Sequence, residues 1–140
     1  PALKRQHCYL MGRYCAKKAL LVLNNKIKLT EITIEKGYFD QPIIIHPNIN
    51  NTQVSIAHTD SSAVAIAFQE HQPMGVDLEL KLTKTISIID KVLSDAEKLL
   101  LKRTKKSYSD EIYTVVWTCK ESLAKTIKVG LFPVLSLYEI

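Results

Sequence analysis

An α+β fold, with helices packed on antiparallel strands, is predicted by three observations in this 140-residue sequence. Residues 5–23 contain no proline and place Tyr9, Ala16, Leu20 and Leu23 at helical spacing. Residues 53–82 alternate and turn in the manner of antiparallel strands. Residues 94–127 hold two helix starts marked by capping residues. The length suits one compact domain with a real core and leaves little room for two independent ones.

Composition narrows the class. The 46% apolar and 24% charged residues are ordinary for a globular protein, and no apolar run reaches the roughly 20 residues that span a bilayer. A net charge of +5 favours an anionic partner without naming it. Cys8, Cys15 and Cys119 are odd in number and lack C-x-x-C spacing, which reads as reduced thiols in a cytoplasmic protein. The chain starts at Pro1 and Leu135 to Ile140 read as a strand, so the expectation is either a fragment or a final strand that pairs with something outside the sequence.

Taken in order, the first helix runs from Arg5 to Leu23, with Arg5, Arg13, Lys17 and Lys18 on its polar face and Asn24-Asn25 as its stop. Ile27 to Ile34 reads as extended or mixed, Lys36 to Pro42 as a turn, and Ile43 to Ile45 as a short strand. Val54, Ile56 and His58 then alternate with Ser55 and Ala57, Thr59 to Ser62 turns, and Ala63 to Phe68 returns. After a turn at Gln69 to Pro73, Met74 to Leu80 is expected as the third strand of an antiparallel meander. Ser87 to Leu93 reads as helix, and Ser94-Asp95-Ala96-Glu97 is a capping box that opens another to about Lys102. Lys102 to Lys106 reads as a basic loop. Ser109 caps a final helix with Asp110 and Glu111 in its first turn, running to about Ile127 with Gly130 marking its end.

The chemistry concentrates in two places. Asp77 and Glu79, two apart in an extended segment, project to one face. Trp117, Glu121 and Lys125, four apart on the last helix, line one stripe. Bringing Glu121 to the first pair would complete an oxygen-only cage of the kind that suits Mg2+ and substrate phosphates.

Gly75-Val76-Asp77-Leu78-Glu79, followed by Trp117-Thr118-Cys119-Lys120-Glu121-Ser122-Leu123-Ala124-Lys125, resembles the two signature motifs of the 4′-phosphopantetheinyl transferases, G-x-D-x-E and W-[STA]-x-K-E-[SA]-x-x-K. Val54 to Thr59 is similar to the family's strand ending in a Ser-His-Ser or Ser-His-Thr turn. Phe39-Asp40-Gln41-Pro42 stands in place of its Gly-Lys-Pro or Arg-x-Pro loop, and the first helix resembles its basic N-terminal helix. Ala57 and Gln41 depart from the pattern, where a hydroxyl and a cation are common.

The resemblance implies a 4′-phosphopantetheinyl transferase-like fold of pseudo-duplicated lobes, about 1–73 and 74–140, with the second lobe shortened after Gly130-Leu131-Phe132-Pro133. It implies Mg2+ held by Asp77, Glu79 and Glu121, and coenzyme A as substrate contacted by Arg5, Arg13, Lys17, Gln41, Pro42, His58, Thr59, Lys120 and Lys125. Asp77, Glu121 and Lys125 would be catalytic, with Glu121 as general base acting directly or through water. The acceptor would be a serine of an acyl or peptidyl carrier protein, as in fatty acid or polyketide biosynthesis, and the product adenosine 3′,5′-bisphosphate. The protein would be a cytoplasmic monomer or small homo-oligomer without nucleic-acid or membrane partners. Two other readings stand beside this one: a degenerate member that binds coenzyme A or a carrier without turnover, and a basic nucleic-acid-binding domain. The second lacks aromatic residues interleaved with basic ones, zinc-ligand spacing or a recognition helix.

Overall fold

The computed structural model describes residues 2–81, 86–103 and 109–128, together with 138 and 140. Helix α1 (Ala2–Leu23) is followed by β1 (Thr33–Lys36), β2 (Pro42–Ile45), β3 (Thr52–His58) and β4 (Ala63–Gln69). Then come α2 (Ile86–Val92), α3 (Asp95–Arg103) and α4 (Ser109–Ile127). The molecule is α+β, and among the described residues the strands are all antiparallel: β1 pairs β2 from Thr33↔Ile45 to Lys36↔Pro42, and β3 pairs β4 from Thr52↔Gln69 to His58↔Ala63.

Helix α1 lies across the β3–β4 hairpin. The side it buries is Cys8, Gly12, Ala16 and Leu20, a stripe at four-residue spacing. Tyr9 and Leu23, expected on that face, are instead half exposed at its edge. Gly12 lets the helix come close, because a Cβ there would meet Ile56 Cγ2 at 2.8 Å. Ala16 and Leu20 close a core with Ile27, Ile32, Ile34 and Val54, and Ile44, Ile56, Ala65 and Ala67 pack against it.

Turn chemistry follows local rules. Thr59 Oγ1 accepts the Ser62 N–H at 3.1 Å while Thr59 N–H donates to Ser62 O at 2.8 Å, closing the β3–β4 turn. In the β1–β2 turn Asp40 takes the left-handed conformation (φ 65°), and Gly37 N–H donates to Gln41 O at 2.7 Å.

The expected third strand is not formed. Residues 73–81 have no regular structure, so the meander reduces to a two-stranded hairpin followed by an irregular segment. Its neighbour is α4 rather than a strand. Val76 N–H donates to Ser55 Oγ at 3.1 Å and Val76 O accepts from Lys125 Nζ at 3.2 Å, so side chains satisfy backbone groups that a ladder would have used.

The capping box of α3 forms as expected: Ser94 N–H donates to Glu97 Oε2 at 2.8 Å, and Glu97 N–H to Ser94 Oγ at 3.2 Å. Helix α4 stops at Ile127, and Lys128, with φ 58°, supplies the left-handed residue beyond it. Gly130, the expected marker, lies outside the described residues. So do Lys105, Lys106 and residues 135–137 and 139 of the strand expected over Leu135 to Ile140; Lys102 and Arg103 form the last turn of α3 rather than a loop.

Candidate active site

Residues 75–79 are pressed onto α4 by the absence of a side chain at Gly75. A Cβ there would sit 2.0 Å from Ser122 O and 2.6 Å from Thr126 Oγ1. This contact, the Ser55–Val76 hydrogen bond and the Lys125–Val76 hydrogen bond fix the segment on three sides. Asp77 is thereby delivered to Lys125, whose Nζ lies 2.7 Å from Oδ1. The Asp77 side chain is 7% exposed, and its other oxygen, Oδ2, is buried with no hydrogen-bond partner among the described residues. Such an orphaned carboxylate oxygen is costly in a dry site unless a donor or cation meets it.

Glu121 is buried at 7% exposure on the same face of α4. Burial pushes its carboxyl up to about 7, the neighbouring Asp77 and Glu79 charges push the same way, and Lys125 opposes them. Glu79 Oε1 accepts from Trp117 Nε1 at 3.3 Å. The structure therefore brings Asp77, Glu79, Glu121 and Lys125 into mutual electrostatic reach. It does not close them into a finished cage: among the described residues no three His, Cys, Asp or Glu are grouped tightly enough to hold a metal ion.

Two cavities flank this cluster. One of about 400 Å³ runs between residues 77–81 and the first half of α4, lined by Asp77, Leu78, Glu79, Lys81, Glu111, Thr114, Val115, Thr118 and Cys119. The other, about 670 Å³, opens between the strands and the end of α4, and Gln41, Pro42, Ser55, Met74, Glu121, Lys125 and Lys128 are among its walls. Residues far apart in sequence, Gln41-Pro42 and Glu121-Lys125, thus share one space.

Several expected ligand contacts sit elsewhere. Lys120 is 0% exposed and paired with Glu97 at 2.9 Å, so from this position it cannot touch a bound phosphate. The reason is helical phase: Lys120 is four residues before the buried Ala124, one residue out of step with the Trp117–Glu121–Lys125 stripe. Arg13 has its guanidinium 3.3 Å from the centre of the Tyr9 ring and donates Nε–H to Ile34 O at 3.1 Å. Gln41 lines the larger cavity but turns its Oε1 back to the Phe39 N–H at 2.9 Å, holding its own loop. His58 and Thr59 stand at the far end of β3, and neither they nor Arg5, Arg13 and Lys17 line either cavity.

Ser55 and Glu97 were missed as site-building residues by sequence reasoning. Glu97 was legible only as a capping residue. For Ser55 the available signal was a hydroxyl between the apolar Val54 and Ile56 of the strand, which must find a partner when buried.

The model of the 4′-phosphopantetheinyl transferase superfamily matches residues 73–140, a stretch that starts just before Gly75 and includes both acid-bearing motifs. The likeness to that superfamily is carried by these 68 of the 140 residues. No curated protein matches the chain. The match supports phosphopantetheinyl transfer as the general activity, and the superfamily's general chemistry uses coenzyme A, Mg2+ and a carrier protein. No helix among the described residues is long and apolar enough to cross a membrane.

Proposed function

We propose that this chain transfers the 4′-phosphopantetheine group from coenzyme A to a serine of an acyl or peptidyl carrier protein, in the manner of a holo-acyl-carrier-protein synthase. The observation that carries this reading is the docking of the G-V-D-L-E segment on the W-T-C-K-E-S-L-A-K helix, with Asp77 and Lys125 in contact at 2.7 Å beside the buried Glu121.

Carboxylates are the donor type that Mg2+ takes, and the three acids would have to draw closer together to hold it. Asp77 Oδ2 is buried without a partner among the described residues, and Glu121 is held from ionising by burial and by neighbouring carboxylates, so a divalent cation would relieve both. Asp77, Glu121 and Glu79 are the residues that would hold it. When bound, Mg2+ would neutralise and position the pyrophosphate of coenzyme A.

The remaining work belongs to the chain. Lys125 holds Asp77 in place and presents a cation, 31% exposed, to the larger cavity, where it would steady a phosphate oxygen. Glu121, with a pKa near neutral in the metal-free site, is poised to accept the serine proton, although a bound cation would lower that value. The serine oxygen then bonds to the phosphorus that carries pantetheine. The pyrophosphate P–O bond breaks with its electron pair going to the departing adenosine 3′,5′-bisphosphate. Positioning and charge provide the catalysis, without a covalent enzyme intermediate.

Mass spectrometry of an apo carrier protein incubated with this chain, coenzyme A and Mg2+ tests the proposal. The added phosphopantetheine is expected with the parent and absent with Asp77→Ala, whose circular dichroism should match the parent. No product from the parent on fatty-acid, polyketide and peptide carriers would overturn the function; full activity in Asp77→Ala would overturn the metal assignment. A second reading, binding without turnover, is favoured by one observation: Gln41 and Arg13 spend their polar groups inside the fold. The same assay with the parent separates the two.

A further inference from the structure

One buried charge pair takes no direct part in the chemistry just described. Lys120 donates to Glu97 Oε2 at 2.9 Å and to Tyr138 O at 2.7 Å. Glu97 also accepts from Ser94 N–H at 2.8 Å and from Ile140 N–H at 2.9 Å. Burial tends to raise the Glu97 pKa, but hydrogen bonds from Lys120, Ser94 and Ile140 outweigh it and hold the carboxyl below its usual value.

Taking both charges out of water is expensive, and well-packed apolar residues in their place are often as stable or more so. The distinctive contribution of such a pair is directional. The buried apolar cluster beside it consists of Val92 and Ala124, with Trp117 packed against it. Apolar contact is non-directional, and of the two α4 residues in that cluster Ala124 is small and Trp117 only partly buried, so packing alone leaves the rotation of the helix loosely set. A charge-assisted hydrogen bond at 2.9 Å does oppose it. Lys120 and Glu121 are consecutive on α4 and therefore diverge by about 100° at 3.6 residues per turn. Whatever holds Lys120 toward α3 consequently aims Glu121, and Lys125 four residues later, at Asp77.

We infer that Glu97 and Lys120 are positioning residues, whose ion pair sets the rotation of α4 and so the alignment of Glu121 and Lys125 with Asp77. The inference rests on reading that cluster as the transfer site.

The test is the double variant Glu97→Gln/Lys120→Met in the full chain. Gln preserves the capping-box acceptor and Met fills the lysine's volume without its charge. The thermal midpoint and circular dichroism are expected to stay near the parent's. Turnover should fall by about tenfold with a smaller change in KM for coenzyme A, and Mn2+ affinity by about tenfold, the scale of losing an outer contact to a metal ligand. A crystal structure of the variant should show the Lys125–Asp77 contact lengthened from 2.7 Å. Parent-like turnover, Mn2+ affinity and Lys125–Asp77 contact together would overturn the inference. Failure of the double variant to fold would overturn it too, since stability would then be what the pair supplies. If the parent itself transfers nothing, the functional reading fails, and the Lys125–Asp77 distance in the variant still decides the role of the pair.

Discussion

The seam between α1 and the hairpins buries apolar side chains, whereas the seam that α4 makes with its neighbours buries charges as well. The first is closed by Ala16, Leu20, Ile27, Ile32, Ile34 and Val54. The second, among the described residues, buries Glu97, Lys120 and Glu121 beside Val92 and Ala124. Apolar burial is strong but non-directional, so it holds α1 on its hairpin without specifying the aim of any one group. Buried charges cost more to assemble and hold direction better. The acids and lysines with which this molecule would handle phosphate lie at the second seam, where direction matters.

Breaking each seam sharpens the contrast. The largest loss is expected from Lys120→Ala, which strands Glu97 as a buried unpaired charge: roughly 3 to 5 kcal/mol by urea denaturation. Leu20→Ala, a cavity without a stranded charge, should cost about 3 kcal/mol. The two should also differ in pH dependence. The Glu97 pKa is depressed in the folded state, so its stabilisation is present above the ordinary value of 4.5 and is lost as pH falls through the lower folded value. The difference in stability between the parent and Lys120→Ala should shrink in that acid window, while the Leu20→Ala difference should hardly move.

Glu121 runs the other way. Its folded pKa of about 7 exceeds the ordinary 4.5, so a contribution fully present below pH 4.5 is lost as pH rises to about 7. Metal-free Glu121→Gln should match the parent at low pH and exceed its stability by roughly 3 kcal/mol above neutrality. Saturating Mg2+ should reverse that order by stabilising only the parent. The smallest effect is expected from Gly75→Ala. A Cβ 2.0 Å from Ser122 O forces the segment off α4, costing about 1 to 3 kcal/mol and lowering transfer.

How much was legible depended on how far apart the partners lie. The β3–β4 hairpin, the Ser94–Glu97 box and the Trp117–Glu121–Lys125 stripe were readable because each arises within a few residues. The same local reasoning failed at Met74 to Leu80. Its alternation is genuine, but a strand needs a neighbouring strand, and the neighbour here is a helix. Local reading also grouped Lys120 with the phosphate contacts because motif position says nothing about which way a side chain faces.

The sequence by itself determined the α+β class, the helix starts, the turns and the pair of acid-bearing motifs, since all of these rest on spacing and short-range hydrogen bonds. Only the tertiary structure decided that Asp77 meets Lys125 across 48 residues and Glu79 meets Trp117 across 38. It also decided that Gln41 serves its own loop and that Lys120 is buried against Glu97. The physical reason is desolvation: whether a charge binds a ligand or locks a helix depends on what packs around it, and that is known only once the distant parts of the chain have met.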